Sequence, residues 1–315
     1  MENGKLAISF LLFSTLLSLF HPFAAAEPSK NISAVFAFGD STLDAGNNND
    51  LPTLVRADHP PYGRDFPSRV PTGRFTNGKL ITDFLVSALG LRDVLPTHSD
   101  RSLTMANLTT GASFASGGSG LDDLTATTSS VTTIGRQVAN FEAYIWRLHA
   151  ALGNDEASRI IRDAMFVIGA GSNDMIMNYY MLPARRMTFT TVSSYHTFLL
   201  SQLRKLVSYI CLTNRNLMQQ LYSVGARKFA IAGLPPLGCL PLQVTLETMR
   251  SSPPTLQRTC INQQNIDSMA YNALLQASIR TWNNTLPNSK FVYVDIYNPL
   301  MDMVTHPLKY GRIAS

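Results

Sequence analysis

The chain has 315 residues, 45% of them hydrophobic and 15% charged, and 26 Lys and Arg against 21 Asp and Glu give a net charge of +5. That length and apolar content suffice for a sizeable core and exclude the weakly hydrophobic, highly charged class of disordered chains. The positive excess is small and scattered, with no Lys/Arg run and no aromatic–basic interleaving, so nucleic acid is not an expected partner.

The first segment is not part of the fold. A short polar start with one lysine leads into the apolar run LAISFLLFSTLLSLF, and Ala24 and Ala26 follow as small residues in an A-x-A pattern. This reads as a signal peptide over residues 1–26, cleaved after Ala26, which sends a secreted protein to the extracellular space or cell wall. The run falls short of the roughly 20 residues a membrane span needs, and no later segment qualifies. Residues 27–315 are read as one domain.

Four times an apolar, β-rich run ends in a breaker: ISAVFAFGDS, FVIGAGSND from Phe166, ARKFAIAGLPPLG from Ala226, and SKFVYVDIYNP from Ser289. Short apolar strands bounded this way suggest a sheet buried on both faces. Helical spacing fills the intervals. VANFEAYIWRLHAAL puts Phe141, Ile145, Leu148 and Leu152 on one side, a long apolar-periodic stretch runs from Ser194 to Gly225, and INQQNIDSMAYNALLQASIRTW is a third helix. Alternating strands and helices predict an α/β fold with a mainly parallel sheet. The irregular stretch 47–78, rich in Pro, Gly and Arg, is long for a plain connection and is expected to shape a site.

In such sheets ligands bind beyond the carboxyl ends of the strands, so the strand breaks carry the candidates. Ser41, in FAFGDSTLDAGNNN, sits at a strand-to-helix break where its hydroxyl is placed to attack a carbonyl and backbone N–H groups point outward. TTGASFASGGSGLDD is a Gly- and Ser-rich turn with accessible backbone, and Asn173 in GAGSNDM offers a side-chain amide to an oxyanion. No His/Asp cluster has metal-ligand spacing, and the first turn lacks Gly-x-Gly-x-x-Gly, so neither a metal nor a nucleotide cofactor is expected.

There are three cysteines. Cys239 and Cys260 flank a Pro-containing loop and form the more natural disulfide; Cys211 is then a buried free thiol or a residue lacking its partner. Sequons stand at Asn31, Asn107 and Asn283, the last with the most exposed setting.

Taken together, FAFGDSTLDAGNNN, PTGRFTNGKLITDFL, GASFASGGSG, IGAGSNDM, AIAGLPPLGCLPLQ and FVYVDIYNPLMDMVTHPLKYG resemble, in order, the plant GDSL esterase/lipase family of the SGNH hydrolases. The resemblance implies a flavodoxin-like three-layer sandwich and hydrolysis of small-molecule or polymeric carboxylic esters by a monomer without a cofactor. It makes Ser41 the nucleophile, and Gly117 and Asn173 oxyanion-hole residues beside the Ser41 amide.

The family's base is a His with Asp three positions before it. None of the six histidines has that partner: Arg56, Leu95, Trp146, Ser193 and Met303 stand three before His59, His98, His149, His196 and His306, and His21 lies in the signal. His306 is preceded by Asp302, four positions away, a spacing that suits one helix face. The expectation is therefore an incomplete domain that lacks the catalytic Asp and His and also lacks its C-terminal helix. Surface left exposed by such a loss invites association. Such a form is strongly impaired as an esterase. The alternative is a non-catalytic variant that binds glycan or lipid, or has no function.

Overall fold

Five strands form one parallel sheet in the order β2-β1-β3-β4-β5: β1 Val35–Gly39, β2 Gly111–Ser113, β3 Met165–Gly169, β4 Lys228–Ala232 and β5 Lys290–Val294. The computed structural model describes residues 32–100, 102–207, 225–250, 259–286 and 288–311. The segment read as a signal peptide, Asn31 and Cys211 all lie outside the described residues.

Alternation along the strands builds two cores. Phe36 and Phe38 of β1, Phe166 and Ile168 of β3, Phe229 and Ile231 of β4, and Phe291 of β5 join the larger one. Val35, Ala37 and Val167 join the smaller one on the opposite face. The larger core is aromatic: Phe36 packs on Phe141 at 4.9 Å between ring centroids, and Phe229 stacks on Phe291 at 4.6 Å. Burial on both faces holds for β1 but not for β5, whose Val292 is 46% exposed.

The helices cover the sheet unevenly. Helix α1, Ile81–Ala88, contributes Val86 to the smaller core. The larger core receives α2 (Ile134–Leu152), α3 (Asn154–Asp163), α4 (Val192–Val207) and a long helix, Asn262–Thr285. Helix α3 was not evident from the sequence, where the segment reads as a polar–apolar mix; its Ala157, Ile160 and Ile161 are buried at helical spacing. Helix α2 starts at Thr133, whose side chain accepts from the Arg136 N–H, and ends at Gly153 with φ of 80°.

The expectation of a fold lacking its C-terminal helix is overturned. With α5 as Pro241–Arg250 and α6 as Asn262–Thr285, β5 is followed by a further helix, α7, Tyr297–Thr305, and a 3-10 turn, Pro307–Tyr310. Asp295 starts α7 by accepting from the N–H groups of Tyr297 and Asn298, so the chain turns directly from strand into helix. No described helix is long and apolar enough to cross a membrane.

Cys239 and Cys260 are joined by a disulfide. Asn283 is exposed, yet its amide donates to Phe291 O at 2.9 Å and its carbonyl accepts from Phe291 N at 2.8 Å, which ties α6 to β5. Asn107 is half-buried.

Candidate active site

The strand order leaves its crevice between β1 and β3, where connections leave the sheet in opposite directions; in doubly wound sheets of this order, ligands sit outside the carboxyl ends at that point. Ser41 lies two residues beyond β1 and Asn173 four beyond β3, so both occupy the mouth of the crevice.

The turn that presents Ser41 is fixed by its neighbours. Gly39 has φ of 135°, and a Cβ there would stand 1.9 Å from Gly169 O, so the close pairing of β1 with β3 at their ends admits only glycine. Asp40 donates its N–H to Gly169 O at 3.0 Å and accepts on Oδ1 from the N–H and hydroxyl of Thr42. The N–H groups of Leu43 and Asp44 close the turn on Asp40 O. Burial pushes the Asp40 carboxyl up to about 6. Ser41 itself is half-buried, and among the described residues neither its hydroxyl nor its N–H is hydrogen-bonded.

A second loop, following β2, runs beside this turn. Gly117 donates its N–H to Asp44 Oδ2 at 2.8 Å, so that amide is already committed. A Cβ on Gly117 would strike the Phe75 ring at 2.4 Å, which places Phe75 of the irregular 47–78 stretch against the loop. Tyr62 meets Phe75 edge-to-face at 5.9 Å, and His59 meets Tyr62 at 5.4 Å. Asn47 donates to Ser113 O and Ala115 O, and Asn48 to Gly117 O and Val55 O. The first two asparagines of the NNN run are thus amide hooks onto β2 and the loop after it, while Asn49 donates to Thr72 O.

The third loop brings Asn173, whose Nδ2 donates to Ser119 O at 2.9 Å and keeps one hydrogen unassigned. The next residue, Asp174, accepts from the N–H groups of Leu121 and Asp122 and from the Thr125 hydroxyl. It begins a π-helical turn, Asp174–Met181. Burial lifts its carboxyl to about 6. A Cβ on Gly120 would lie 2.2 Å from Asp174 Oδ1, so the second loop needs glycine there to receive the third.

One residue escaped sequence reasoning. Gln137 of α2 is fully buried; its Oε1 accepts from Gly39 N and its Nε2 donates to Gly39 O, both at 2.9 Å. Its Nε2 also reaches Ser119 Oγ at 3.2 Å, so one amide joins the first turn to the second loop. A lone glutamine on a helix gave no signal for this.

No described histidine is hydrogen-bonded to Ser41. His59 contacts Pro60 O, His98 contacts Asn140, His149 contacts Asn154, and His196 has both ring nitrogens unpaired. His306 Nδ1 lies 2.9 Å from Asp302 Oδ1 on the exposed end of α7. Asp302 also accepts from Lys309 and Tyr310, and these bonds hold its carboxyl down to about 2. The pair is a surface helix cap and makes no hydrogen bond with the turn that carries Ser41. Among the described residues, no group of three or more His, Cys, Asp and Glu could hold a metal ion.

The sequence profile of the GDSL-like lipase/acylhydrolase family matches residues 35–310. The chain belongs to that family. Among curated relatives, the GDSL esterase/lipase At2g40250 of Arabidopsis thaliana is 45% identical over 98% of this chain and 82% of its own length. GDSL esterase/lipase At2g31540 of the same plant is 40% identical over 99% of this chain and 82% of its own length. By family, this GDSL hydrolase is a carboxylic ester hydrolase, and its five-stranded parallel sheet is the SGNH-like architecture.

Proposed function

We propose that this chain acts on carboxylic esters through an acyl-enzyme on Ser41. The observation that carries the reading is the Ser41 hydroxyl: it is unpartnered and half-exposed at the carboxyl end of β1, at the sheet's switch point. A base takes the Ser41 proton as Oγ attacks the ester carbonyl. The Ser41 N–H and the second Asn173 Nδ2 hydrogen are the donors that meet the oxyanion, while Gly117 holds the loop that lines it. Collapse releases the alcohol, and water then frees the acid.

The base is the weak part of this form, because each described histidine is engaged elsewhere or lacks contact with Ser41. In serine proteases, loss of a triad member leaves about 10³- to 10⁴-fold acceleration over water. Turnover of p-nitrophenyl butyrate by the 315-residue chain is therefore expected to be slow and to vanish in Ser41→Ala. Turnover at ordinary enzyme rates, about 1–10³ per second, overturns the impairment. Slow turnover that survives Ser41→Ala overturns the mechanism.

The disulfide fits a protein of an oxidising compartment, and with the apolar leader it supports secretion to the extracellular space or cell wall. The non-catalytic reading, a glycan- or lipid-binding module, is separated by labelling with a fluorophosphonate. Label on Ser41 supports the assembled nucleophile; ligand binding without label supports the module.

A further inference from the structure

We propose that Asp44 is a positioning residue for ester hydrolysis, holding the Gly117 amide and with it the loop that faces the oxyanion. The inference rests on the serine-esterase reading above and assigns the buried carboxylate three residues after the nucleophile.

Both oxygens of Asp44 are used, each on a different loop. Oδ1 accepts from Gly46 N at 2.8 Å and from Asn47 N at 2.7 Å, within the nucleophile loop. Oδ2 accepts from Gly117 N at 2.8 Å across to the second loop. The carboxylate is wholly buried, and the Arg74 guanidinium, itself 6% exposed, stands close enough to favour its charged form.

A purely structural role does not account for a charge at this place. Asn47 and Asn48 already join the same two loops with neutral amides, on Ser113 O, Ala115 O and Gly117 O. Burying a carboxylate costs more than burying an amide, and burial does lift Asp44 to about 6. What the carboxylate adds is an acceptor for an N–H. The Gly117 N–H is the group it takes on the second loop, while the N–H groups of Ser41 and Gly118 are without acceptors among the described residues. An asparagine at 44 keeps one acceptor and turns an NH₂ toward one of these N–H groups, donor against donor.

The test uses the 315-residue chain and phenylboronic acid, which forms a tetrahedral adduct on a reactive serine and so mimics the charged intermediate. Methyl benzoate serves as the uncharged ground-state probe. The expected result is boronate binding that is lost in Ser41→Ala and weakened about tenfold in Asp44→Asn, with methyl benzoate affinity unchanged. Equal boronate affinity in folded Asp44→Asn and the parent overturns the role of Asp44. Equal weakening of both probes overturns it too, since loosened packing alone would do that. Boronate affinity indifferent to Ser41→Ala sinks the esterase reading itself, and the role of Asp44 with it.

A second measurement needs no variant. The Gly117 amide proton, followed by ¹H–¹⁵N spectroscopy in the parent chain, is expected to stay protected and unshifted on boronate binding. A switch of that N–H from Asp44 Oδ2 to an oxygen of the bound boronate as its hydrogen-bond acceptor would make Asp44 a competitor for the amide and overturn the proposal.

Discussion

Gln137 shows how much a single buried amide holds together at this site. It pairs with both backbone groups of Gly39, the residue whose positive φ sets the turn that carries Ser41, and it reaches the hydroxyl of Ser119. Replacing it with leucine leaves the Gly39 N–H buried without that acceptor. A buried unsatisfied donor costs about 1–3 kcal/mol, so Gln137→Leu is expected to lower unfolding stability by that amount in urea denaturation. An unchanged midpoint would show that the Gly39 amide finds another partner. The residue types at the breaks were legible in the sequence, because Ser41 and Asn173 stand directly after apolar runs. Their supports were not. Gln137 meets Gly39 across 98 positions and Asp44 meets Gly117 across 73, and no local period encodes such pairings.

Among the elements, the irregular 47–78 stretch owes its order to a buried ion pair rather than to regular structure. Arg74 donates to both oxygens of Asp83 at 2.8 and 3.0 Å, and also to Ala45 O and Leu95 O. Asp83 in turn accepts from the N–H groups of Leu80 and Leu95. Arg74 and Asp83 belong to the segment PTGRFTNGKLITDFL, and their pairing across the start of α1 is a physical reason for both residues. Arg74→Met leaves the fully buried Asp83 without its counter-charge and is expected to cost about 3–5 kcal/mol in chemical denaturation. A cost under 1 kcal/mol would show that the two backbone N–H groups that Asp83 accepts from, not the charge, hold the stretch. The sequence marked this stretch as a site-shaping loop from its Pro, Gly and Arg content. It also marked strands β1 and β3–β5, whose apolar runs end at breakers; β2, only three residues long, was seen as a turn. The last helix departs from the expectation, because the Asp295 cap and the spacing after it suffice to start α7.

At the scale of the whole molecule, buried titrating groups pull stability in opposite directions with pH. Asp40, Asp44 and Asp174 are raised from 3.8 to about 6, so between those values the folded chain holds protons that the unfolded chain has lost. Their contribution is full below pH 3.8 and is lost as pH rises through 6. His98 and His196 are lowered by burial from 6.5 to about 4, so their contribution is full above pH 6.5 and is lost as pH falls through 4. Three groups against two leave a shallow net fall in stability from pH 4 to 6. Among the described residues neither ring nitrogen of His196 has a hydrogen-bond partner, and Tyr271 lies edge-on at 5.5 Å, so His196→Phe is expected to be tolerated. It removes one opposing proton, and the fall should steepen by about 1.4 kcal/mol per pH unit. A slope that does not change in the variant would contradict the assignment of a neutral His196.

The same whole-molecule view puts Ser41, the proposed nucleophile, at the switch point of the sheet, and among the described residues no histidine is hydrogen-bonded to it. An activated ester should then acylate Ser41 and lose the acyl group only slowly, since no described histidine stands ready to activate the attacking water. The direct measurement is intact and peptide mass spectrometry after incubation with p-nitrophenyl acetate. The account predicts a single acetyl group on the peptide that contains Ser41, absent in Ser41→Ala. Acetyl groups confined to other residues, or no adduct together with ester hydrolysis that survives Ser41→Ala, would contradict it.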